Sequence, residues 1–247
     1  MNILTADIGN TRIKLDIWSD EDHLHHISAA NIGVINVDEL IEKYNVEGAM
    51  FCNVSKDRGN IFSYISNKLH GKASMFNEKY VKLYDITPEY LNQLGHDRVA
   101  AYIGAMSLFP GTPLLIIDSG TALTADVVDQ EGKFCGGNIS LGVKSRLRAI
   151  HEFTARLPLV HPEGNVTLFG TNTEKAIRNG AINGAIGEIL LDLENAHKQY
   201  QAEEIIITGG EAPLLIPFLE ERGFAIHHDP FLVARGLNVN FRKHHLN

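Results

Sequence analysis

One short pattern occurs twice in this chain, and it restricts the possible folds more than any other feature of the sequence. A buried-strand pattern at residues 3–8 overlaps the start of Asp7-Ile8-Gly9-Asn10-Thr11, and an apolar run at residues 114–117 leads into Asp118-Ser119-Gly120-Thr121-Ala122. Each segment combines an aspartate with a glycine, and both residues favour the tight turns of β-hairpins. The repeat therefore predicts two related lobes, each of which begins with a hairpin.

The residues around these turns extend the prediction to a fold class. Residues 12–17 alternate between polar and apolar, as in a strand with one buried face, and residues 123–128 form the second strand of the other hairpin. Helical patterns are interspersed with the strands, at residues 37–44, 60–69, 97–107 and 212–222. Helices inserted between strands predict an α/β fold.

A cluster of prolines and a glycine at residues 109–113 is the clearest break in the sequence. We therefore expect an N-terminal lobe at residues 1–110 and a C-terminal lobe at residues 111–247. A chain of 247 residues, of which 44% are hydrophobic, can bury a substantial core without metal or disulfide bonds.

Charge and hydropathy argue against several classes of partner. The net charge of −8 argues against a nucleic-acid-binding protein, because such proteins usually carry a basic patch. Asp7 stands where a signal peptide needs an apolar run, and no stretch reaches the roughly 18 apolar residues of a membrane span. We therefore expect a cytoplasmic protein that binds neither nucleic acid nor membranes.

The histidines are numerous and clustered, as at His23, His25 and His26 and at His244 and His245. No cluster has the spacing of a zinc site with a second pair of ligands. We therefore expect these histidines to be solvated surface side chains.

The two Asp-x-Gly turns have a chemical use beyond reversing the chain. A glycine lets backbone N–H groups approach a phosphate closely, and an aspartate at the strand end can hold hydrated Mg²⁺ beside that phosphate. One such turn alone is more often an ordinary hairpin turn. Two equivalent copies, followed by Thr208-Gly209-Gly210, favour a phosphate site.

This set of motifs resembles the acetate/sugar kinase and actin superfamily, in which two RNase-H-like lobes bind ATP in the cleft between them. Other segments resemble one family within it, the type III pantothenate kinases. Gly95-His96-Asp97-Arg98 resembles their Gly-x-Asp-Arg motif. Residues 136–142 resemble their Gly-Gly-x-Ile-x-Pro-Gly loop, with Leu141 in place of proline. Gly170-Thr171-Asn172-Thr173, followed by Gly180, resembles a later segment of the family.

The resemblance implies an ATP-dependent kinase that phosphorylates pantothenate to 4'-phosphopantothenate, the first step of coenzyme A biosynthesis. It implies Mg²⁺, a monovalent cation (potassium or ammonium), and a homodimer in which the partner subunit helps to build the pantothenate pocket. Gly180, Gly184 and Gly187 recur at near-turn spacing along a predicted helix. Close packing of another backbone would explain them, either within the C-terminal lobe or across a dimer interface.

The resemblance also implies roles for individual residues. Asp97 would be the general base, although its spacing alone favours a first-turn aspartate that stabilises a helix. Asp118 would bind the monovalent cation, and Asp7 would lie beside Mg²⁺. The residues implied to bind ATP are Asp7, Ile8, Gly9, Asn10, Thr11, Arg12, Ile13, Lys14 and Thr121.

A further group of residues is implied to bind pantothenate. The planar guanidinium of Arg98 suits bidentate binding of a carboxylate. Thr173 resembles a substrate-binding threonine, although Thr171 begins a capping-box pattern that would only place Thr173 in a first helical turn. The family has a tyrosine before Gly-x-Asp-Arg, and both Tyr84 and Tyr90 fit, with the better local context at Tyr84. The complete set is Tyr84, Gly95, His96, Asp97, Arg98 and Thr173.

Two other functions stay open on the sequence. A different small-molecule kinase of the same superfamily, acting on a sugar or another carboxylate, would keep both turns, but the Gly-x-Asp-Arg motif argues against it. A catalytically weak nucleotide-binding accessory protein would keep the fold. Leu141 favours that reading slightly, and the retained aspartates argue against it.

Overall fold

The computed structural model describes residues 1–9, 12–31, 33, 35–53 and 60–245. The chain divides into two compact units, one made of Met1–Pro110 with Phe231–Asn247 and the other of Gly111–Pro230. Asn10 and Thr11, which belong to the first predicted turn, lie outside the described residues.

Strands and helices alternate along much of the chain. The strands are β1 (Asn2–Ile8), β2 (Ile13–Ser19), β3 (Asp22–Ala29), β4 (Val46–Asn53), β5 (Ala73–Met75), β6 (Leu114–Ser119), β7 (Ala122–Val128), β8 (Phe134–Leu141), β9 (Glu204–Thr208) and β10 (His227–His228). The helices are α1 (Val37–Lys43), α2 (Asn60–Lys68), α3 (Glu78–Val81), α4 (His96–Leu108), α5 (Val143–Phe153), α6 (Thr173–Tyr200), α7 (Ala212–Glu220) and α8 (Leu232–His245). In the described part of the chain, no helix combines the length and the apolar character needed to cross a membrane.

Each unit contains a five-stranded sheet, and the two sheets share one strand order. The order is β3-β2-β1-β4-β5 in the first unit and β8-β7-β6-β9-β10 in the second. In each sheet, an antiparallel meander of three strands is extended by two strands that run parallel to the first strand of the meander. The repeat predicted from two short turns is thus a repeat of whole sheets, and the α/β class is confirmed.

The third strand of each meander was not predicted from the sequence. Residues 136–142 were expected to form a loop, but most of them belong to β8, where Gly136 pairs with Val127. Adjacent glycines weaken a strand pattern, and here pairing with β7 decides the conformation. The other missed strand, β3, is rich in histidine and only partly buried, so its alternation is faint.

The sheet of the first unit has two chemically different faces, because successive residues of a strand point to opposite sides. Leu4 and Ala6 of β1 and Leu15 of β2 face an apolar core that also includes residues of α1 and α2. Asp7 and Lys14 alternate with these residues and so lie on the opposite face, the side on which α4 and α8 pack. The polar end of the first turn is therefore presented towards α4.

The last helix, α8, packs on α4 in the first unit, whereas the break at residues 109–113 predicted that residues 231–247 belong to the C-terminal lobe. The two helices meet where a Cβ added at Gly236 would overlap the carbonyl oxygen of Ala100. A Cβ at Gly104 would likewise overlap the carbonyl oxygen of Leu232. Only glycine permits two backbones to approach this closely. The close contact between α4 and α8 fixes the C-terminal helix to the first unit.

The second unit has its core between the sheet and three helices, α5, α6 and α7. The longest of them, α6, begins after Asn172, whose side-chain oxygen accepts a hydrogen bond from the Lys175 N–H at 2.9 Å. The helix cap is therefore Asn172, not Thr171 as the capping-box pattern predicted. Asparagine with an extended backbone is among the best N-caps, and it leaves Thr173 as the first helical residue.

Candidate functional site

Asp7 lies at the carboxyl end of the central strand β1, directly opposite Lys14 of β2. The Lys14 Nζ is 3.6 Å from the Asp7 carboxylate, whose side chain is only 12% exposed. The Gly9 N–H donates to the Arg12 carbonyl at 3.0 Å and so closes the loop between the two strands. The structure thus places the buried Asp7 carboxylate and the Lys14 ammonium group together beside the first predicted phosphate turn.

The Arg12 guanidinium is held away from that turn. Its Nε donates to the Ser28 hydroxyl at 2.6 Å and its Nη2 to the Ser28 carbonyl at 2.9 Å. Arg12 therefore joins β3 to the start of β2, and its side chain is already engaged.

Asp97 lies in the first turn of α4, which is capped by Gly95. Its carboxylate accepts a hydrogen bond from the neighbouring Arg98 N–H at 2.9 Å. A Cβ added at Gly95 would lie 2.5 Å from the same carboxylate oxygen, closer than non-bonded atoms approach. His96, between them, contacts the Phe76 ring edge-on at 6.0 Å between ring centroids. The glycine of the Gly-x-Asp-Arg motif therefore makes room for its aspartate.

The charge of Asp97 acts on Asp7. Burial raises the pKa of Asp7, Lys14 lowers it, and the charges of Asp97 and Asp16 raise it again, so that the pKa lies above its usual value. Burial together with Asp7 and Asp97 also raises the pKa of the buried Cys52 thiol. Asp7 and Lys14 of the first hairpin thus form one electrostatic group with Asp97, which is distant in the sequence, and the group has more negative than positive charge. Such a group suits a divalent cation, because carboxylate oxygens are its preferred ligands.

The two candidate tyrosines have different surroundings. The Tyr84 hydroxyl donates to the buried Asn240 Oδ1 at 2.8 Å, and burial raises the pKa of Tyr84 to about 12. The Tyr90 ring instead lies under the guanidinium of Arg98, with 5.7 Å between the guanidinium carbon and the ring centroid. Arg98 is only 9% exposed. Tyr90 is therefore the tyrosine in contact with the Gly-x-Asp-Arg motif, and Tyr84 binds α8.

The second turn, in the second unit, is also closed by a hydrogen bond from the N–H of its glycine, across a loop that is one residue shorter than the first. The Gly120 N–H donates to the Ala122 carbonyl at 2.9 Å, and the Thr121 carbonyl accepts from the Gly142 N–H at 3.1 Å and the Ser145 hydroxyl at 2.7 Å. Gly142 lies so close to the Gly120 carbonyl that an added Cβ would overlap it. The start of α5 therefore packs directly on the turn.

Asp118 is the penultimate residue of β6 and pairs with Thr208 at the end of the neighbouring parallel strand β9. Gly209 follows with a φ of 93°, and an added Cβ would overlap the Asp118 carboxylate and the Ser119 carbonyl. The Thr-Gly-Gly segment thus lies against the second Asp-x-Gly turn, as two motifs of one site would.

Glu211 is a residue that the sequence analysis missed. It is 5% exposed, its N–H donates to the Ser119 carbonyl at 2.8 Å, and its carboxylate accepts from the Lys144 N–H at 3.4 Å. Burial raises the pKa of Glu211, and the hydrogen bonds from the N–H groups of Lys144 and Val143 lower it in part. Glu211 thereby joins the starts of α5 and α7 to the turn. Its signal in the sequence was an acid directly after a glycine pair and before an apolar helix.

Thr173 lies at the first position of α6, where its side chain is exposed. Thr173 thus lies where the residue after the N-cap of any helix would lie, and its position alone does not indicate a contact with substrate.

Comparisons with known proteins agree on one family. A family model described as type III pantothenate kinase matches residues 3–191. The type III pantothenate kinase of Bacteroides fragilis is 35% identical over 242 residues, which cover 96% of each chain.

Solved structures identify the fold. A conserved Baf family protein from Campylobacter jejuni superposes with a TM-score of 0.62 at 20% identity, covering 97% of this chain and 98% of that one. The activator of the 2-hydroxyisocaproyl-CoA dehydratase from Clostridium difficile, solved with bound ADPNP, superposes with a TM-score of 0.57 at 13% identity, covering 98% and 95%. The chain has the actin-like ATPase fold that the resemblance implied.

We expect Asp7→Asn to raise the melting temperature at neutral pH, because it removes a carboxylate whose ionisation is opposed by burial. A folded-state pKa above the usual 3.8 means that the ionised group destabilises the fold as pH rises through that interval. The difference in melting temperature between variant and wild type should therefore widen from acidic to neutral pH. Thermal unfolding over a pH series measures it.

The matched control is Asp85→Asn, which changes an exposed aspartate of the same unit. A wild-type protein that is more stable than Asp7→Asn at neutral pH would contradict the proposed cost of burying Asp7.

Proposed function

The chain belongs to the type III pantothenate kinase family, and we infer that it transfers a phosphoryl group from ATP to the hydroxyl of pantothenate, the first step of coenzyme A biosynthesis. The observation that carries this inference is the family match across residues 3–191, which includes both Asp-x-Gly turns and the Gly-x-Asp-Arg motif. The residue roles below are proposals that rest on the local geometry of each unit.

We propose Asp97 as the general base. Phosphoryl transfer proceeds through a loose transition state, so positioning of the attacking hydroxyl matters more than strong proton abstraction. A carboxylate held in one orientation suits this task. The Arg98 N–H fixes the Asp97 carboxylate at 2.9 Å, and the missing side chain at Gly95 leaves space beside it.

We propose that the first turn binds the phosphates of ATP. Lys14 supplies the cation. Ile8, Gly9 and Ile13 are proposed to line the phosphates with their backbone, which the hydrogen bond from the Gly9 N–H to the Arg12 carbonyl holds in a tight loop. Arg12 contributes through its backbone because Ser28 holds its guanidinium. Asn10 and Thr11 keep their predicted role but lie outside the described residues. Thr121 of the second turn is proposed to bind ATP as well.

The family implies a divalent cation as the partner of ATP, and the surplus of negative charge around Asp7 fits it. Mg²⁺, when bound, neutralises phosphate charge, and we propose that Asp7 holds it directly or through water. Asp118 is proposed to bind a monovalent cation, because its carboxylate lies near the end of a central strand, beside Gly209 and the Ser119 carbonyl.

We propose that Arg98 binds the pantothenate carboxylate and that Tyr90 contacts the substrate beside it. The contact between the Tyr90 ring and the Arg98 guanidinium changes the choice made from sequence context, which was Tyr84. Gly95 and His96 remain proposed neighbours of the substrate, and Thr173 remains proposed from the family motif alone.

We also propose a homodimer that uses the exposed face of α6. Gly180, Gly184, Gly187 and Leu191 follow one another at helical spacing, on the side of α6 opposite its buried residues. An added Cβ at Gly180 or Gly187 would meet no described atom within 4 Å, so packing inside the unit does not explain these glycines. Leu191 is 57% exposed. A second copy that packs closely on this stripe would account for both features.

Asp97→Asn should lower kcat by about 10²–10⁴-fold, the usual contribution of a general base, while ATP binding is largely kept. The assay is pantothenate-dependent ADP formation, run with and without potassium, and Asp85→Asn serves as the control. An Asp118→Asn variant should lose any stimulation by potassium. Turnover that is unchanged in Asp97→Asn would remove this residue from the mechanism. ADP formation that does not depend on pantothenate would contradict the proposed function.

A pair of variants separates the two tyrosines. Tyr90→Phe should raise the KM for pantothenate about tenfold, which corresponds to one lost hydrogen bond of roughly 1.4 kcal/mol. Tyr84→Phe should leave KM unchanged but lower the free energy of unfolding by about 1–3 kcal/mol, because it leaves the buried Asn240 without its donor. The reverse result would assign the substrate contact to Tyr84.

Gly187→Leu should convert the dimer to a monomer of 27.3 kDa, because the new side chain fills the space that the second backbone needs. Light scattering coupled to gel filtration measures the mass. Glu220→Leu, which adds the same side chain at an exposed position of α7, should leave the mass unchanged. A wild-type protein that runs as a monomer would rule out the interface.

A further inference from the structure

Asp16, His23 and His26 form a polar cluster on the hairpin of β2 and β3. The Asp16 side chain is 2% exposed, and its Oδ1 lies 2.8 Å from His23 Nε2 and 2.7 Å from His26 Nδ1. The expectation that the histidines are solvated is therefore wrong for these two. Both imidazoles converge on one buried carboxylate oxygen.

A β-bulge produces this convergence. His23 and His26 are three residues apart, so a regular strand would direct them to opposite faces of the sheet. The register shifts between Ile17 and Trp18, so that Ile17 pairs with His25 and Trp18 with His23, while Leu24 has no partner in the ladder. The shift brings His23 onto the face that carries His26 and Asp16. Bulges of this kind commonly redirect a side chain next to a functional site.

The aromatic neighbours fix the orientation of the His23 ring. Trp18 contacts it edge-on at 4.9 Å between centroids, and Phe231 stacks on it at 3.8 Å. Phe231 also contacts the His26 ring at 5.1 Å. The His23 and His26 side chains are 18% and 32% exposed, so solvent reaches the cluster from the histidine side.

The donor set matches one class of ligand. One ligand atom from each of the three residues lies within 4.8 Å of the other two, and two imidazole nitrogens with one carboxylate oxygen form a known ligand set of zinc. Mg²⁺ prefers oxygen ligands alone, so this cluster does not compete for the divalent cation of ATP. We propose that Asp16, His23 Nε2 and His26 Nδ1 bind a Zn²⁺ ion, with water at the fourth position.

Metal binding requires a rearrangement that the geometry allows. Around a tetrahedral zinc, with ligands at about 2.0–2.2 Å, neighbouring ligand atoms are about 3.3 Å apart. The two hydrogen-bonded N–O pairs must therefore separate by about 0.6 Å, which small side-chain rotations supply. Each neutral ring must also carry its proton on the other nitrogen, Nδ1 of His23 and Nε2 of His26. The two rings therefore release no net proton.

The site can be tested with the metal alone, independently of kinase activity. Protein freed of metal with a chelator is titrated with Zn²⁺, and the affinity and stoichiometry are measured against a chromophoric chelator. We expect one tight site in the wild type and at least about tenfold weaker binding in His23→Gln and in His26→Gln, since even outer-shell partners of a metal contribute tenfold or more. Visible absorption of the Co²⁺-loaded protein reports whether the coordination is tetrahedral.

His25→Gln is the matched control, because His25 lies on the same strand but on the opposite face, stacked on Tyr44 at 5.2 Å between centroids. It should bind Zn²⁺ as the wild type does. Far-ultraviolet circular dichroism verifies that each variant is folded, and Asp16→Asn gives a third ligand variant. Equal affinity in the wild type, His23→Gln and His26→Gln would assign the zinc to other histidines and overturn the proposal. If the wild type has no tight Zn²⁺ site, the three side chains only hydrogen-bond to one another and the proposal is wrong.

Discussion

The central constraint in this molecule is the burial of a negative charge at the end of a central strand. Asp7 is almost enclosed, and the like charges of Asp97 and Asp16 act on it from within the same unit. Lys14 offsets only part of the free-energy cost of ionising Asp7, whose pKa stays above its usual value. A divalent cation bound at this carboxylate would offset the surplus of negative charge. Without such a cation, the ionised Asp7 lowers the stability of the unit.

Glycine contacts position the chemical groups around both turns. Gly95 makes space for the Asp97 carboxylate, Gly209 lies against the Asp118 carboxylate, and Gly142 lies against the Gly120 carbonyl. At each place an added Cβ would collide with a neighbouring atom. The glycines of these motifs therefore mark places where the backbone lies in close contact with a neighbouring carboxylate or carbonyl group.

The sequence predicted the parts of the structure that depend on local chemistry. The turns at Asp7 and Asp118 were predictable because the aspartate, the glycine and the flanking apolar runs are adjacent in the chain. Strand β8 was not, because its glycines form a strand only through pairing with β7. The role of Glu211 depends on N–H groups about 70 residues away in sequence. The contact of Tyr90 with Arg98 and that of Tyr84 with Asn240 likewise depend on packing against α4 and α8, which no local pattern encodes.

The return of α8 to the first unit has a consequence for the order in which the protein acquires its structure. In a chain synthesised from residue 1 onwards, the residues of α4 emerge long before those of α8, and the whole of Gly111–Pro230 is made in between. Until then the Gly104 surface is uncovered, whereas the second unit is continuous in sequence and has all of its core residues. The second unit can therefore complete its core without α8, whereas the first unit stays incomplete until α8 arrives.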